Sequence, residues 1–304
     1  MIRLSRIEPL GWTLPRTALF WAALIAWVSA FGCQGGSSGA FTDLTEARKL
    51  AADLRVQFNR ASDASNRAVM ADTDEASLAF AKEAVGIKTA IQSDIAELTP
   101  RLRRLDYSVE IHLLEEFETQ WAEYEKVDHD VLELAVENTN LKAQRLSFGP
   151  SRAAADAFRD ALGAFSAPRS SKEPCRVESL VATAILAVRD IQVLQAPHIA
   201  ESDDAVMTRM EGEMAKSNAT ARDALGALAA LADADGRPHL AAATEALGRF
   251  EAVSKEIVSL SRRNSNVRSM DLSIRRKPSV TAACDQSLRA LQDALAKESF
   301  SATR

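Results

Sequence analysis

The sequence predicts an all-α protein made of two tandem up-down four-helix bundles that arise from an internal duplication. Three observations carry this expectation. Gly (12) and Pro (9) are scarce among 304 residues, whereas a sandwich or barrel needs turn residues about every 8–12 positions. Aromatic residues make up 6% of the chain, and runs such as LGALAALADA and HLAAATEALG are rich in Ala, the strongest helix former. Finally, two long stretches of the chain match each other. Hydrophobic residues at 47% and charged residues at 26% also exclude a disordered chain.

The first element is a targeting segment. Arg3, Arg6 and Arg16 precede the uncharged run TALFWAALIAWVSAFG, from Thr17 to Gly32. A basic region followed by a short apolar region reads as a signal peptide over 1–32. The run has 16 residues, and a spanning helix needs about 20. Ala30, Phe31, Gly32 and Cys33 resemble a bacterial lipobox, with Phe31 departing from its usual small residue. Cleavage before Cys33 would leave a lipidated N-terminus, and the linker GGSSG within 33–41 would space a domain off the membrane. An uncleaved signal anchor is the alternative. Gln34 is not the Asp that, by resemblance to enterobacterial lipoproteins, retains a protein at the inner membrane. The expected location is the cell envelope, facing the periplasm or exterior, with the outer membrane favoured.

Without residues 1–32 the chain carries 34 basic and 41 acidic residues, a net −7. No basic stripe with interleaved aromatics occurs, so no nucleic-acid partner is expected. Cys175 and Cys284 form no C-x-x-C motif, which removes thioredoxin-like, zinc-ribbon and haem-attachment readings. Their places near the starts of the fifth and eighth predicted helices put them at opposite ends of an up-down array, too far apart for a disulfide.

The remaining elements are helices. Breaks are expected near 72–74, Pro100, Gly149-Pro150, 166–175, 233–238 and Lys277-Pro278. Between them the apolar spacing is helical, as in Leu114, Phe117, Trp121, Tyr124, Val131, Leu134 and Leu141. Thr42-Asp43 and Thr45-Glu46 suit the start of the first helix, and Ser151 suits a start after Pro150. DLRVQFNRASDASNRAVM (53–70) matches DIQVLQAPHIAESDDAVM (190–207), ENTNLKAQRLS (137–147) matches RNSNVRSMDLS (263–273), and AAADAFRDAL (153–162) matches AACDQSLRAL (282–291). The spacing falls from 137 to 126 between the first two matches, which places about three extra helical turns in the first copy near 100–115. The expected bundles are 42–168 and 169–304. The runner-up is one larger bundle with helices stacked end to end across the 166–175 break.

The stretch FETQWAEYEKVDHDVLELAVENTNLKAQRLSFGPSRAAADAFRDAL resembles the third and fourth helices of the four-helix-bundle ligand-binding domain of methyl-accepting chemotaxis receptors. NRAVMADTDEASLAFAKEAVGIKTAIQSDIAEL (66–98) is similar to that family's first turn and second helix. The resemblance covers roughly 45–165 and, more weakly, the second copy. It implies an extracytoplasmic sensor that holds a small molecule between helices. Complete receptors also carry a second membrane span, a linker module and a long signalling hairpin, and none is expected here.

No G-x-S-x-G, H-E-x-x-H, P-loop or dinucleotide fingerprint is present. No enzyme activity, cofactor or metal is therefore expected. His198 follows Pro197 inside a predicted helix on the stripe Val188, Ile191, Gln195, His198, with Glu201 at i+3. With the carbonyl freed by the proline they could line a polar pocket. Ala61 stands at the matching position of the first copy. Trp121 and Tyr124 read as core anchors or as ligand contacts. Asn138 and Asn264 lie on apolar stripes at matching positions, as register-setting core amides or as ligand contacts. The acidic run 128–130 reads as a solvated face. Two function classes result. One is a lipid-anchored binding module for a small ligand or a membrane signalling partner. The other is a structural spacer or scaffold in the envelope.

Overall fold

The computed structural model describes residues 36–166 and 173–299, and these are helical almost throughout. Among them no strand occurs, so the chain is all-α. Helices α1 (Gly36–Met70), α2 (Asp74–Leu105) and α3 (Ser108–Glu137) run up, down and up. A short α4 (Thr139–Leu146), a π-turn (Ser147–Ser151) and α5 (Arg152–Ser166) follow, then α6 (Pro174–Ala200), α7 (Asp204–Leu231) and α8 (Gly236–Arg263). The chain closes with α9 (Ser265–Arg275) and α10 (Lys277–Lys297).

Local chemistry sets most of these ends. Thr73 is the N-cap of α2 and its hydroxyl accepts from the Ala76 N–H at 3.1 Å, ahead of Asp74 and Glu75 in the first turn. Asp203 caps α7 by accepting from the Ala205 and Val206 N–H groups. Asp106 ends α2 in the left-handed region at φ 58°, a conformation that Asp and Asn tolerate better than most residues.

Several expected breaks are not breaks. Pro100 lies inside α2, which continues to Leu105. At Pro150 the missing N–H is absorbed by the π-turn, which also holds Ser151 and runs without a gap into α5 at Arg152, one residue after the expected start. Helix α1 begins at Gly36, ahead of the Thr and Asp residues expected to cap it. Two breaks were not expected. Asn138 and Asn264 sit between helices with φ 51° and 54°, so each is an elbow and not a position within a continuous stripe. The three extra turns are divided: α1 runs to Met70, while α6 stops at Ala200, which aligns with Asp63, and α2 has 32 residues against 28 in α7.

The elbows redirect the chain. The core of the first bundle joins Leu54, Phe58, Ile91, Leu98, Phe117, Trp121 and Tyr124 from α1–α3 to Cys284, Leu288, Leu291 and Leu295 from α10. The core of the second joins Phe158 and Leu162 from α5 to Val181, Val188, Ile191, Leu225, Leu228, Leu247 and Phe250 from α6–α8. The fourth helix of each expected bundle therefore packs in the other one. Residues 139–263 form a contiguous second bundle, inserted between the third and fourth helices of the first. The division at 166–175 lies inside that second bundle, so the expected units 42–168 and 169–304 do not each close on their own core, and the runner-up fails for the same reason. Truncating a buried aromatic in such a core costs about 3–5 kcal/mol, and Phe58, Phe158 and Phe250 are fully buried. Cys175 and Cys284 fall in different bundles and are free thiols. Cys33 and the residues before it lie outside the described residues. Among the described residues no helix is long and apolar enough to cross a membrane.

Candidate functional site

The two bundles meet where the elbows cross, and the polar groups there answer each other in pairs. The first N–H groups of a helix have no partner within it. At this junction each elbow caps the helix that follows the other. The Thr139 N–H donates to Ser265 Oγ and the Ser265 N–H donates to Thr139 Oγ1, both at 3.0 Å. The Asn140 N–H donates to Asn266 Oδ1 and the Asn266 N–H donates to Asn140 Oδ1, both at 3.1 Å. Asn140 Nδ2 donates to Asn264 Oδ1 at 2.7 Å, and Asn266 Nδ2 donates to Asn138 Oδ1 at 2.9 Å. Thr139 and Ser265, like Asn140 and Asn266, stand 126 residues apart, so the junction has a pseudo-two-fold arrangement. At the same spacing, Arg263 forms a two-pronged ion pair with Glu137 and holds its carboxyl below the usual carboxylate range.

The junction also receives the end of α6, whose last carbonyls have no acceptor role left within the helix. Ser261 Oγ donates to the His198 carbonyl (2.7 Å), Asn140 Nδ2 to that of Ile199 (2.6 Å) and Asn264 Nδ2 to that of Glu201 (2.7 Å). This use breaks the symmetry. Asn138 Nδ2 is buried and has no hydrogen-bond partner, because α1 runs on as helix where α6 ends.

His198 is fully buried, as the stripe predicted, but it is not paired with Glu201. Its Nδ1 lies 2.8 Å from Ser261 Oγ and its Nε2 lies 2.9 Å from Glu211 Oε1 on α7. A carboxylate only accepts, which assigns a proton to Nε2. Arg262 donates to the same oxygen at 2.6 Å and, with His198, holds the Glu211 carboxyl below its usual range against the opposing effect of burial. Glu201 is beyond the end of α6 in extended conformation, so the i+3 relation is lost. Its carboxylate accepts from the Ser202 and Asp203 N–H groups and forms the following turn. No cluster of three or more metal-ligating side chains occurs among the described residues.

Trp121 and Tyr124 are core anchors. They stack at 5.4 Å between centroids, and the edge of Phe58 meets them at 6.1 and 5.1 Å. This packing is a geometry that aromatic pairs favour. Trp121 Nε1 is buried without a partner.

The sequence reading missed one cluster. Asp128, expected on a solvated face, is fully buried. Lys88 Nζ donates to its Oδ2 at 2.5 Å and Lys277 Nζ lies 2.8 Å from its Oδ1. Lys277 also donates to Ser65 Oγ (2.6 Å) and Asn66 Oδ1 (3.2 Å), and its Nζ lies 5.6 Å from the centre of the Tyr124 ring. The Tyr124 hydroxyl donates to Asp128 at 3.3 Å, and burial, reinforced by that carboxylate, pushes its pKa up. Burial acts to raise the Asp128 pKa, but the two ammonium groups prevail and keep it below the usual range. Lys277 opens α10, so this pair fixes the exchanged helix to the first bundle. The second bundle is neutral at this level. Ser254 stands 126 residues after Asp128, and Gln195, at the position of Phe58, donates to Ser254 (3.1 Å) and Ser151 (3.0 Å). The signal available was the i+4 spacing of Asp128 from Tyr124 on the apolar stripe.

Two surface concavities are open grooves. One of about 590 Å³ lies between α6 and α7. Another, of about 860 Å³, flanks α9 and includes Asn264, Arg262, Val267 and Met270. No protein-family profile, curated protein or solved structure matches this chain.

Proposed function

We propose that the protein is a lipid-anchored spacer of the cell envelope, carrying an interaction surface and acting without a small-molecule ligand or a chemical reaction. One observation carries this reading: four of the six residues placed to receive a ligand spend their polar groups inside the fold. His198 is engaged by Ser261 and Glu211, Glu201 by its own turn, Asn264 by Asn140 and Glu201, and Tyr124 by Asp128. The architecture suits a spacer. Helix α1 has 35 residues and α8 has 28, so bundles about 50 Å and 40 Å long meet at their ends. The reciprocal bonds at matching positions support an origin by duplication. Cys33 attaches the first bundle to the membrane, and the second bundle presents its faces away from it.

The chemoreceptor-like reading keeps one foothold. Asn138 Nδ2 and Trp121 Nε1 are buried donors with no partner, and such donors cost about 1–3 kcal/mol each. A ligand carbonyl or carboxylate that reached either would offset that cost. Thermal unfolding in amino acids, dicarboxylates and divalent cations separates the two readings, because a ligand that binds the folded state raises Tm. The spacer reading predicts no shift with any of them. A saturable shift abolished by Asn138→Ala or Trp121→Phe would establish a sensor.

A further inference from the structure

A neutral His198 ring leaves its surroundings one proton short. His198 is fully buried in the last turn of α6. In a continuing α-helix its carbonyl would accept from the N–H four residues on, but the Ser202 N–H donates instead to Glu201 Oε1. The Ser261 hydroxyl takes over and donates to the His198 carbonyl at 2.7 Å. A serine has one proton to donate, so the same hydroxyl can only accept from His198 Nδ1, which lies 2.8 Å away. Nδ1 therefore carries a hydrogen. Nε2 carries one as well, because it faces the Glu211 carboxylate at 2.9 Å. With both nitrogens protonated the ring is an imidazolium. In the neutral ring the Ser261 proton would turn to Nδ1, leaving the carbonyl without a donor and two oxygen atoms opposed at 2.7 Å.

The surroundings suit that charge. The C-terminal end of a helix carries partial negative charge, which favours a cation in its last turn. Glu211 from α7 supplies a counter-charge, and Arg262 from α8 shares its Oε1 at 2.6 Å while reaching Asp204 at 3.1 Å. With the imidazolium, His198, Arg262, Glu211 and Asp204 balance as two cations and two anions; without it, one anion is in excess. The groups that α4 and the π-turn bring to this end of α6, Asn140, Ala143 and Ser147, are neutral. The scaffold does not require the pair. At the 137- and 126-residue spacings of the two copies, Ala61 and Ala135 stand where His198 and Ser261 do, and both are fully buried. The first bundle closes this place with two methyl groups. The second puts there the side chain type whose charge ordinarily changes near neutral pH.

We propose that His198 is a pH-sensitive latch: as an imidazolium it fastens the end of α6 to α7 and α8, and on losing its proton it releases the last turn of α6 at the junction of the two bundles. The cause is the missing hydrogen. Without it the Ser261 hydroxyl faces two acceptors, the ring nitrogen and the His198 carbonyl, and can serve one. A buried acceptor left without a donor is unfavourable, and opening of the last turn gives it water. The released segment adjoins the elbows, because Asn140 and Asn264 hold the Ile199 and Glu201 carbonyls. Opening therefore frees those two amides from α6, while the reciprocal bonds between the elbows stay in place. The pH dependence has a definite sign. A proton held in the closed form and given up on opening stabilises the closed form at lower pH, and that stability falls as pH rises. Asp128 acts in the opposite sense, since its depressed carboxyl loses stability in acid, so the two effects separate on a pH scale. The latch is independent of the spacer reading and of the lipid anchor.

The test uses the full chain in mild detergent with its histidines labelled with heavy nitrogen. At about pH 6, long-range proton–nitrogen NMR should show both ring nitrogens of His198 bearing hydrogen. Its signals are those whose ring protons exchange slowly, because His198 is the fully buried histidine. Hydrogen exchange, corrected for intrinsic base catalysis, then follows the opening. Between about pH 6 and about pH 9, protection over 195–204 should fall by roughly tenfold or more beyond any change over 58–67, the matching stretch of α1. His198→Ala with Ser261→Ala, which installs the pair that the first bundle carries, should remove this excess. If that variant does not fold, His198→Gln takes its place, keeping a donor toward Glu211 without a titrating ring. A ring with one bare nitrogen at the lower pH, equal pH dependence in the two stretches, or an excess that persists in the variant would each overturn the proposal.

Discussion

Replacing Asp128 with Ala should destabilise the protein far more than replacing Asp128 and Lys277 together. Asp128 is fully buried between two ammonium groups, Lys88 at 2.5 Å and Lys277 at 2.8 Å. Lys88 lies at the edge of the bundle, with 12% of its side chain exposed, and can turn to water when its partner is lost. Lys277 cannot, because its side chain is only 2% exposed and would keep only the neutral Ser65 and Asn66 oxygens as acceptors. Breaking a buried pair costs about 3–5 kcal/mol, whereas replacing both partners by apolar side chains is often neutral or stabilising. Asp128→Ala should therefore lose about 3–4 kcal/mol, and Asp128→Leu with Lys277→Met should return to within about 1 kcal/mol of the parent. Urea unfolding at pH 7 with linear extrapolation measures both. The pH dependence carries a definite sign. A carboxyl whose pKa is depressed in the folded state adds stability above its unfolded pKa, near 4, and that stability is lost as pH falls through the folded value. The gap between parent and Asp128→Ala should accordingly narrow in acid. A cost below about 1 kcal/mol for the single variant, or a double variant as unstable as the summed singles, would refute the pairing.

Three other expectations concern the elbows and the anchor. Thr139→Ala and Ser265→Ala each remove a helix cap and should cost about 1 kcal/mol, and because each hydroxyl serves the other's backbone, thermal unfolding of the double variant should show non-additivity of at least about 0.5 kcal/mol. Asn138→Leu should destabilise by about 1–2 kcal/mol, since it places a branched side chain at φ 51° and strands the Asn266 amide, while Asn138→Gly should relieve the backbone part of that loss; equal unfolding midpoints for the two would remove the left-handed elbow from the argument. Cys33→Ala should abolish incorporation of labelled fatty acid and leave a mislocalised precursor, and label retained by the variant would exclude lipidation at this residue.

The sequence made some features legible and hid others, for reasons that can be named. Helical periodicity was plain because stripes such as Leu114, Phe117, Trp121 and Tyr124 recur at spacings of three and four, and the buried His198 was found in the same way. The elbows were hidden by that very regularity. Asn138 continues the stripe Val131, Leu134, Asn138, Leu141 in sequence, and only its left-handed backbone takes it out of the helix. The exchange of fourth helices was hidden as well, because an internal match shows which segments are alike but not which ones touch. The partners of His198 lie 13 and 63 residues away, beyond any local pattern. Asp128 was misread by its company: Asp130 and His129 beside it are solvated, while its own position falls on the apolar stripe.

The claim on which the account turns is that α10 belongs to the first bundle and α5 to the second. Spin labels at Arg55 on α1 and Asp285 on α10, whose side chains pair at 2.9 Å, test it directly by pulsed dipolar spectroscopy within one chain. The exchanged arrangement predicts labels on adjacent helices, with axes about 10 Å apart. If α10 instead closed a bundle with α6–α8, the labels would stand about one helix length, on the order of 40 Å, from each other, and the inserted-bundle fold would be contradicted.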